Sequence, residues 1–160
     1  MKSTIIDRDK GLKSILAQTK AFKNSCVKVG ITEDVGGKTN GGDATVAQYA
    51  AWNEMGTDRI PSRPFIRDWV DGNRERITQT MQSLFRYVQD GIMPADVALG
   101  RLGQFGQSGI QSYIITGDFE ENATSTKKRK GSSKPLIDTG TLRNNIRYQI
   151  VKTPPSKVQE

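Results

Sequence analysis

Histidine is absent from this 160-residue sequence, cysteine occurs once, and no long hydrophobic run is present. Without histidine, the common zinc and iron sites, the serine and cysteine catalytic triads and histidine-based acid–base catalysis are excluded. A single cysteine forms no disulfide within the chain. No apolar stretch approaches the roughly 20 residues of a membrane helix. We therefore expect a soluble protein of a reducing cytoplasm, with no membrane segment, bound metal or cofactor.

Apolar residues are also few, since 34% of the sequence is hydrophobic and 26% is charged. The length suits one domain that buries a core without disulfides or metals. We predict that this domain spans residues 1–150 and that residues 151–160 form a C-terminal tail. The low apolar share indicates that some segments pack only against a partner.

The net charge of +7 is spread unevenly along the chain. Residues 1–30 hold seven bases and two acids, residues 31–118 hold eight bases and eleven acids, and residues 119–160 hold nine bases and four acids. A DNA-binding domain more often carries a basic stripe on its folded body. Basic ends around an acidic centre favour contacts between subunits.

Hydrophobic periodicity predicts the secondary structure. Helical spacing predicts four helices, over residues 9–23, 44–55, 65–89 and 94–114. Alternation predicts two strands, over residues 26–31 and 146–150. Asp43 is the expected cap of the second helix, and Cys26 is expected at an outer or edge position of the first strand. With flexible loops expected over 33–42 and 117–134, we predict an α+β fold in which a small antiparallel sheet packs against two long helices plus shorter helices.

The last predicted long helix contains a glycine at every third position, namely Gly100, Gly103, Gly106 and Gly109. Each glycine inside a helix costs about 1 kcal/mol relative to alanine, so another interaction must offset the loss. The spacing predicts a seam of small residues that lets another helix or a neighbouring subunit approach closely. A flexible hinge is the alternative.

A phosphate-binding loop is suggested by the sequence Gly37, Lys38, Thr39. Such a loop needs a glycine five positions before Gly37, where this chain has Thr32, and a helix beginning directly after the threonine. No helix is predicted there. A solvent-exposed loop is therefore favoured.

The sequence from Leu136 to Gly140, LIDTG, matches the segment around the catalytic aspartate of retroviral-type aspartic proteases. That chemistry requires two such carboxylates sharing a proton, which a single copy supplies only in a symmetric dimer. The helical body predicted before this segment disagrees with an almost all-β protease. Asp138 or Thr139 as the cap of a short helical turn is favoured.

A run of four bases lies within the polar segment 117–134 and consists of Lys127, Lys128, Arg129 and Lys130. Such a segment is disordered or extended until a partner orders it. We interpret the run as a candidate partner-binding site, and DNA is one possible partner.

Two separated blocks, Val46 to Arg67 and Lys130 to Ile150, resemble the neck proteins of tailed bacteriophages, also called head-tail joining, tail-completion or virion morphogenesis proteins. The family pattern combines a Tyr-Ala-x-x-Asn-Glu-aromatic-Gly-Thr block, a Pro-x-Arg-Pro-Phe block and a later Pro-Leu-Ile-Asp-Thr-Gly-x-Leu-Arg block. The matching positions of the first two are Tyr49, Ala50, Asn53, Glu54, Gly56, Thr57, Pro61, Arg63, Pro64 and Phe65. The last runs from Pro135 to Arg143, and Met55 replaces the usual aromatic residue.

The resemblance implies a non-enzymatic α+β subunit of the virion, made in the host cytoplasm. It implies a six- or twelve-fold ring at the head-tail junction, between the portal or connector and the tail terminator or tail tube proteins. Such a ring continues the DNA channel and touches channel DNA non-specifically.

With the sequence patterns, the resemblance suggests candidate subunit-interface residues, which are Arg63, Phe65, Gly103, Gly106, Leu142 and Arg143. For Phe65, a hydrophobic staple at the start of the long helix is an equal alternative. The alternative function is a DNA-binding packaging or assembly accessory protein that uses residues 127–130.

Overall fold

The computed structural model describes residues 11–37, 43–122, 124, 126, 134–137 and 139–152. The helices are α1 (Leu12–Lys23), α2 (Glu33–Gly36), α3 (Val46–Met55), α4 (Phe65–Gly72), α5 (Arg74–Gln89), α6 (Ala95–Thr116) and α7 (Thr141–Asn144). The strands are β1 (Ser25–Ile31) and β2 (Ile146–Lys152). This α+β architecture, with two long helices and a two-stranded antiparallel sheet, confirms the predicted fold class.

The two strands pair antiparallel, in a register that runs from Ser25 opposite Lys152 to Ile31 opposite Ile146. Successive side chains of a strand point to opposite faces. Val29 and Ile31 therefore share the inner face and pack on the hydrophobic core. The alternation predicted for both strands is confirmed.

The longest helix, α6, has 22 residues and is about 33 Å long. Both strands and α1, α4 and α5 pack against it. The C-terminal half of α6 contributes to a first hydrophobic cluster of Ala50, Phe65, Trp69, Ile110, Ile114, Leu136, Leu142 and Ile146. The N-terminal half contributes to a second, made of Phe22, Leu84, Val88, Met93, Ala95, Ala98 and Leu99.

Helix α3 begins one residue after Thr45, whose hydroxyl accepts a hydrogen bond from the backbone N–H of Gln48 at 3.2 Å. The Gln48 side chain accepts from the Thr45 backbone N–H at 2.9 Å, which completes a capping box. The prediction that Asp43 caps this helix is therefore wrong. Gly56 ends the helix with φ of 80°, a conformation that favours glycine.

The single helix predicted over residues 65–89 is also wrong, because Asn73 separates α4 from α5. The Asn73 side-chain amide donates to the carbonyl of Trp69 at 2.8 Å, and its backbone N–H donates to the carbonyl of Val70 at 3.2 Å. Asparagine competes in this way with regular helical bonding. The break lets both helices lie along α6.

The loop prediction for 33–42 fails at its start, where Glu33–Gly36 forms the short helix α2. Residues 38–42 lie outside the described part of the chain. Among the residues described for the other predicted loop, Phe119 packs edge to face on Tyr113 with ring centroids 5.4 Å apart. Asn122 is buried, so this end of the segment belongs to the packed body.

The glycine seam of α6 is filled by side chains of the same chain. A Cβ atom built at Gly103 would lie 2.2 Å from Cδ2 of Tyr148, and one built at Gly109 would lie 2.1 Å from Cζ2 of Trp69. At Gly106 the nearest atom is a methyl carbon of Val29, 3.0 Å away. The close approach predicted for the seam is found, but the sheet and α4 make it. Packing of this kind leaves no room at the seam for a neighbouring subunit.

No helix within the described residues is both long enough and apolar enough to cross a membrane.

Candidate functional site

The strongest polar arrangement surrounds Arg63, which is 4% exposed. Its Nε donates to the carbonyl of Glu120 at 2.7 Å, Nη2 donates to the carbonyl of Glu121 at 3.1 Å, and Nη1 donates to Oδ1 of Asn53 at 3.2 Å. All three nitrogen atoms of the guanidinium group thus donate a hydrogen bond at the same time. Arg63 thereby ties the chain after α6 to the turn between α3 and α4, across more than 50 positions of sequence.

Asn53 completes this arrangement from within α3. Asn53 is 2% exposed, and its Nδ2 donates to the main-chain carbonyl of Tyr49 at 2.8 Å. The main-chain carbonyl of Asn53 accepts from the backbone N–H of Arg63 at 2.6 Å. Burial lowers the pKa of the Arg63 guanidinium, while nearby Tyr49 and Glu120 oppose that shift. Arginine remains charged despite such a shift, so the protein holds a buried cation on neutral oxygen atoms.

Glu54, the next residue, caps a different helix. Its carboxylate accepts hydrogen bonds from the backbone N–H groups of Ile66 at 3.0 Å and Arg67 at 2.9 Å, in the first turn of α4. Pro64, which precedes α4, supplies no side-chain cap. A carboxylate at a helix N-terminus both satisfies unpaired N–H groups and interacts favourably with the helix dipole.

The second sequence block meets the first in the first hydrophobic cluster. Leu136, with φ of 60°, and Leu142 are 3% and 2% exposed and pack in the same cluster as Ala50 and Phe65. Gly140, with φ of 78°, precedes α7. We call this set the motif cluster, consisting of Asn53, Glu54, Arg63, Phe65, Leu136 and Leu142. The hydrogen bonds and apolar contacts of these residues stabilise the fold of the chain.

The predicted subunit interface is therefore corrected. Five of its six residues are buried within the chain: Arg63, Phe65, Gly103, Gly106 and Leu142. A buried residue can contact a second subunit only if the chain unfolds locally. Among the six, only Arg143 is partly exposed. The staple-like, structural alternative for Phe65 agrees better with its complete burial.

An apolar groove of about 460 Å³ opens between β1 and the pair α4 and α5. Its floor is the face of α6 formed by Leu99, Leu102, Phe105 and Ile110. Its walls include Cys26 and Val27 of β1, Ile66 and Val70 of α4, and Ile77 and Met81 of α5. Val70 and Met81 are 36% and 43% exposed, and we call this feature the apolar groove.

The groove lies beside a strand edge. Within the described residues β1 pairs with β2 alone. Its second edge therefore offers backbone groups for another strand. Cys26, expected at an outer or edge position of this strand, contributes to the groove and is partly buried.

Large apolar side chains are also exposed away from the groove. Leu12 and Leu16, one turn apart on α1, are 63% and 59% exposed, and Met55 at the end of α3 is 73% exposed. Among the apolar residues of α1, Phe22 is buried, in contrast to these two leucines.

Charge divides the described elements into three groups, of which the smallest is α2, with two acids, Glu33 and Asp34, and no base. The elements α1, β1, α7 and β2 contain seven bases and no acid: Lys13, Lys20, Lys23, Lys28, Arg143, Arg147 and Lys152. The span from α3 to α6, residues 46–116, holds seven bases and seven acids. The terminal elements are thus basic, and the helical span is neutral.

Several sequence-based candidates cannot be placed. The basic run Lys127, Lys128, Arg129 and Lys130 lies outside the described residues, as do Asp138, Lys38 and Thr39. In the part of the chain that the structure describes, no three acidic or cysteine side chains gather closely enough to hold a metal ion.

The apolar groove and the role of Glu54 were not predicted from the sequence. The groove combines residues of five elements, and its single sequence signal was the low apolar content. The Glu54 cap is twelve positions from the N–H of Ile66, beyond the spacing of local capping motifs.

Comparison of the chain with family models, curated proteins and solved structures finds no match. The resemblance to phage neck proteins therefore stays a prediction that rests on the residues quoted above.

Proposed function

We propose that this chain is a structural subunit of the neck of a tailed bacteriophage, acting in the virion without enzymatic activity. Copies of it form a ring that joins the portal or connector to the tail terminator or tail tube and continues the DNA channel. The two sequence blocks motivate the proposal. The observation that supports it most is a contrast within the described residues. Their buried polar side-chain atoms all have hydrogen-bond partners, whereas some of their large apolar side chains are exposed to solvent.

The interior is complete because every buried side-chain nitrogen or oxygen among the described residues has a hydrogen-bond partner. The apolar groove, in contrast, leaves Val70 and Met81 in contact with water. Exposed apolar patches of this kind mark interaction sites. A neck subunit requires such a patch, since it works only when joined to others.

We assign the apolar groove to a neighbouring copy of this chain. The two-stranded sheet has two open edges within the described residues, β1 beside the groove and β2 on the opposite side. A ring needs two different patches on each subunit, because its contacts are head to tail. The two edges of one sheet provide such a pair of patches.

Deletion of the gene tests this function. Particles made without the protein are expected to accumulate as DNA-filled heads and separate tails, and supplying the wild-type chain should restore joined particles. Electron microscopy of the lysate gives the result directly. Normal infectious virions from the deletion strain would reject the proposal.

A further inference from the structure

Two pairs of exposed apolar side chains lie on different helices of this chain. Leu12 and Leu16, one turn apart on α1, are 63% and 59% exposed. On α3, Trp52 and Met55 are 40% and 73% exposed. Residues three and four positions apart are neighbours on a helix surface, so each pair forms a continuous apolar patch. We call Leu12 and Leu16 the α1 patch, and Trp52 and Met55 the α3 patch.

The α1 patch lies in basic surroundings. Lys13 and Lys20 are three and four residues from Leu16, and both are exposed. Helix α1 contains no acidic residue. Asp90 of the following loop borders α1 at Gln18, which helical geometry places on the opposite side from Leu16. Two α1 patches placed together would bring lysine against lysine, so a symmetric contact through α1 is disfavoured.

The α3 patch lies in acidic surroundings. Asp43 is three residues before the start of α3, Asp58 is three residues after its end, and both are exposed. The described residues 33–37 and 43–58 contain five acids and no base, and Arg59 is the next base along the chain. Two α3 patches placed together would bring acid against acid, so a symmetric contact is disfavoured here as well.

The two patches lie at opposite ends of α6, too far apart to contact each other within one chain. Near the α1 patch, Oε1 of Gln18 accepts a hydrogen bond at 2.8 Å from the backbone N–H of Ala95, the first residue of α6. Near the α3 patch, Ala50 packs in the same cluster as Ile110. The α6 backbone rises about 22 Å between Ala95 and Ile110. Each patch is therefore available to a second copy.

We infer that the α1 patch of one copy docks on the α3 patch of another copy. The contact covers exposed apolar side chains of both copies, and it brings the lysines of α1 towards the aspartates that flank α3. It joins two different surfaces, so it is head to tail and repeats from copy to copy. The inference goes beyond the proposed function, because it uses neither the apolar groove nor a sheet edge and requires only that copies of this chain associate.

Sedimentation equilibrium of the purified full chain, over about 1 to 100 μM, tests the inference. Every sample carries Val70→Glu with Met81→Glu, which blocks the apolar groove, so that the contact between the helices is measured alone. The average mass should rise with concentration. Leu16→Glu would face the acids around α3, and Met55→Lys would face the lysines of α1. Each of these two changes should therefore weaken association roughly 30-fold.

Matched controls place the same charges elsewhere. Tyr87→Glu and Gln79→Lys lie at exposed positions of α5 and should change association less than about threefold. Lys13→Glu with Lys20→Glu leaves both leucines in place and should weaken association about tenfold. This last variant keeps the test decisive if Leu16→Glu folds poorly.

Mixing the two patch variants identifies the pairing. The Leu16→Glu chain keeps its α3 patch, and the Met55→Lys chain keeps its α1 patch. Neither should associate with itself, whereas an equimolar mixture should form one-to-one dimers and no larger species. A symmetric contact through either patch would give no such complementation.

Three results would overturn the inference. The first is a groove-blocked chain that stays monomeric over the whole concentration range, which would assign the patches to other proteins. The second is equal weakening by the patch variants and their controls, and the third is a mixture of the two patch variants that does not associate. Each result leaves head-tail joining untouched, since the deletion strain tests that function independently.

Discussion

The motif cluster and the apolar groove meet along α4, but only the motif cluster is closed. In the motif cluster, Arg63 and Asn53 are buried with their hydrogen bonds made, and Phe65 is fully covered. In the groove, Val70 and Met81 remain exposed beside an open strand edge. The recognisable sequence blocks and the exposed apolar surface are therefore different parts of this molecule. The blocks stabilise the fold, and less distinctive apolar residues line the open groove.

The largest loss of stability is expected from Arg63→Met. The variant leaves Oδ1 of Asn53 and the carbonyls of Glu120 and Glu121 without their donor, at a cost of about 4 kcal/mol. Urea unfolding of the purified chain measures it. Arg143→Met is the matched control, because Arg143 contacts only its neighbour Asn144 among the described hydrogen bonds, and it should change stability by less than about 0.5 kcal/mol. Equal effects of the two variants would mean that the buried hydrogen bonds of Arg63 do not stabilise the motif cluster.

Gly103→Ala should follow, at about 2 to 3 kcal/mol, because the new methyl group overlaps the ring of Tyr148. Thermal melting detects the loss, and adding Tyr148→Ala should recover part of it. Gly100→Ala is the control, since its Cβ would lie 3.7 Å from the Tyr148 hydroxyl, an ordinary contact. That control should be neutral or slightly stabilising. Stability unchanged in Gly103→Ala would mean that the sheet does not pack on the seam as described.

Glu54→Ala is expected to cost about 1 to 2 kcal/mol, because two N–H groups in the first turn of α4 lose their acceptor. Chemical denaturation measures the change. Asp58→Ala, in the exposed loop after α3, is the control and should have little effect. If both variants behave alike, the carboxylate of Glu54 does not cap α4.

The smallest expected effect depends on pH. Burial raises the pKa of the Tyr113 phenol, and Asp68 and Asp118 raise it further. A raised pKa in the folded state means that this contribution to stability is intact below the unfolded-state pKa of about 10 and is lost as the pH rises through the folded value. Wild type should therefore lose slightly more stability than Tyr113→Phe between pH 9 and 11, measured by thermal melting. Tyr87→Phe, at an exposed ring, is the control. Parallel curves for wild type and Tyr113→Phe would contradict this assignment.

Local patterns predicted most of the fold because helices and strands repeat over short distances. The alternation around Val29 and Tyr148 and the glycine spacing of α6 both indicated real packing surfaces. The break at Asn73 was missed because the apolar spacing of α4 continues into α5. Local spacing is therefore insufficient to locate a helix break that a single side chain creates.

The site was harder to predict than the fold. The Arg63 bonds reach Glu120 and Glu121 through main-chain carbonyls, which carry no residue-specific signal in a sequence. Arg63, Phe65 and Leu142 were therefore predicted at an interface, although all three are buried within the chain. The groove requires the relative placement of five elements, which only the folded chain provides.

The most direct test of the distinction between the motif cluster and the apolar groove is tail attachment in a deletion strain complemented with Val70→Glu, Met81→Glu. These charges lie at exposed positions of the groove, so the purified variant should melt within a few degrees of wild type. Electron microscopy of the complemented lysate should find DNA-filled heads without tails, because the groove no longer accepts a neighbouring copy. Tailed, infectious particles in normal yield from this stably folded variant would contradict the account.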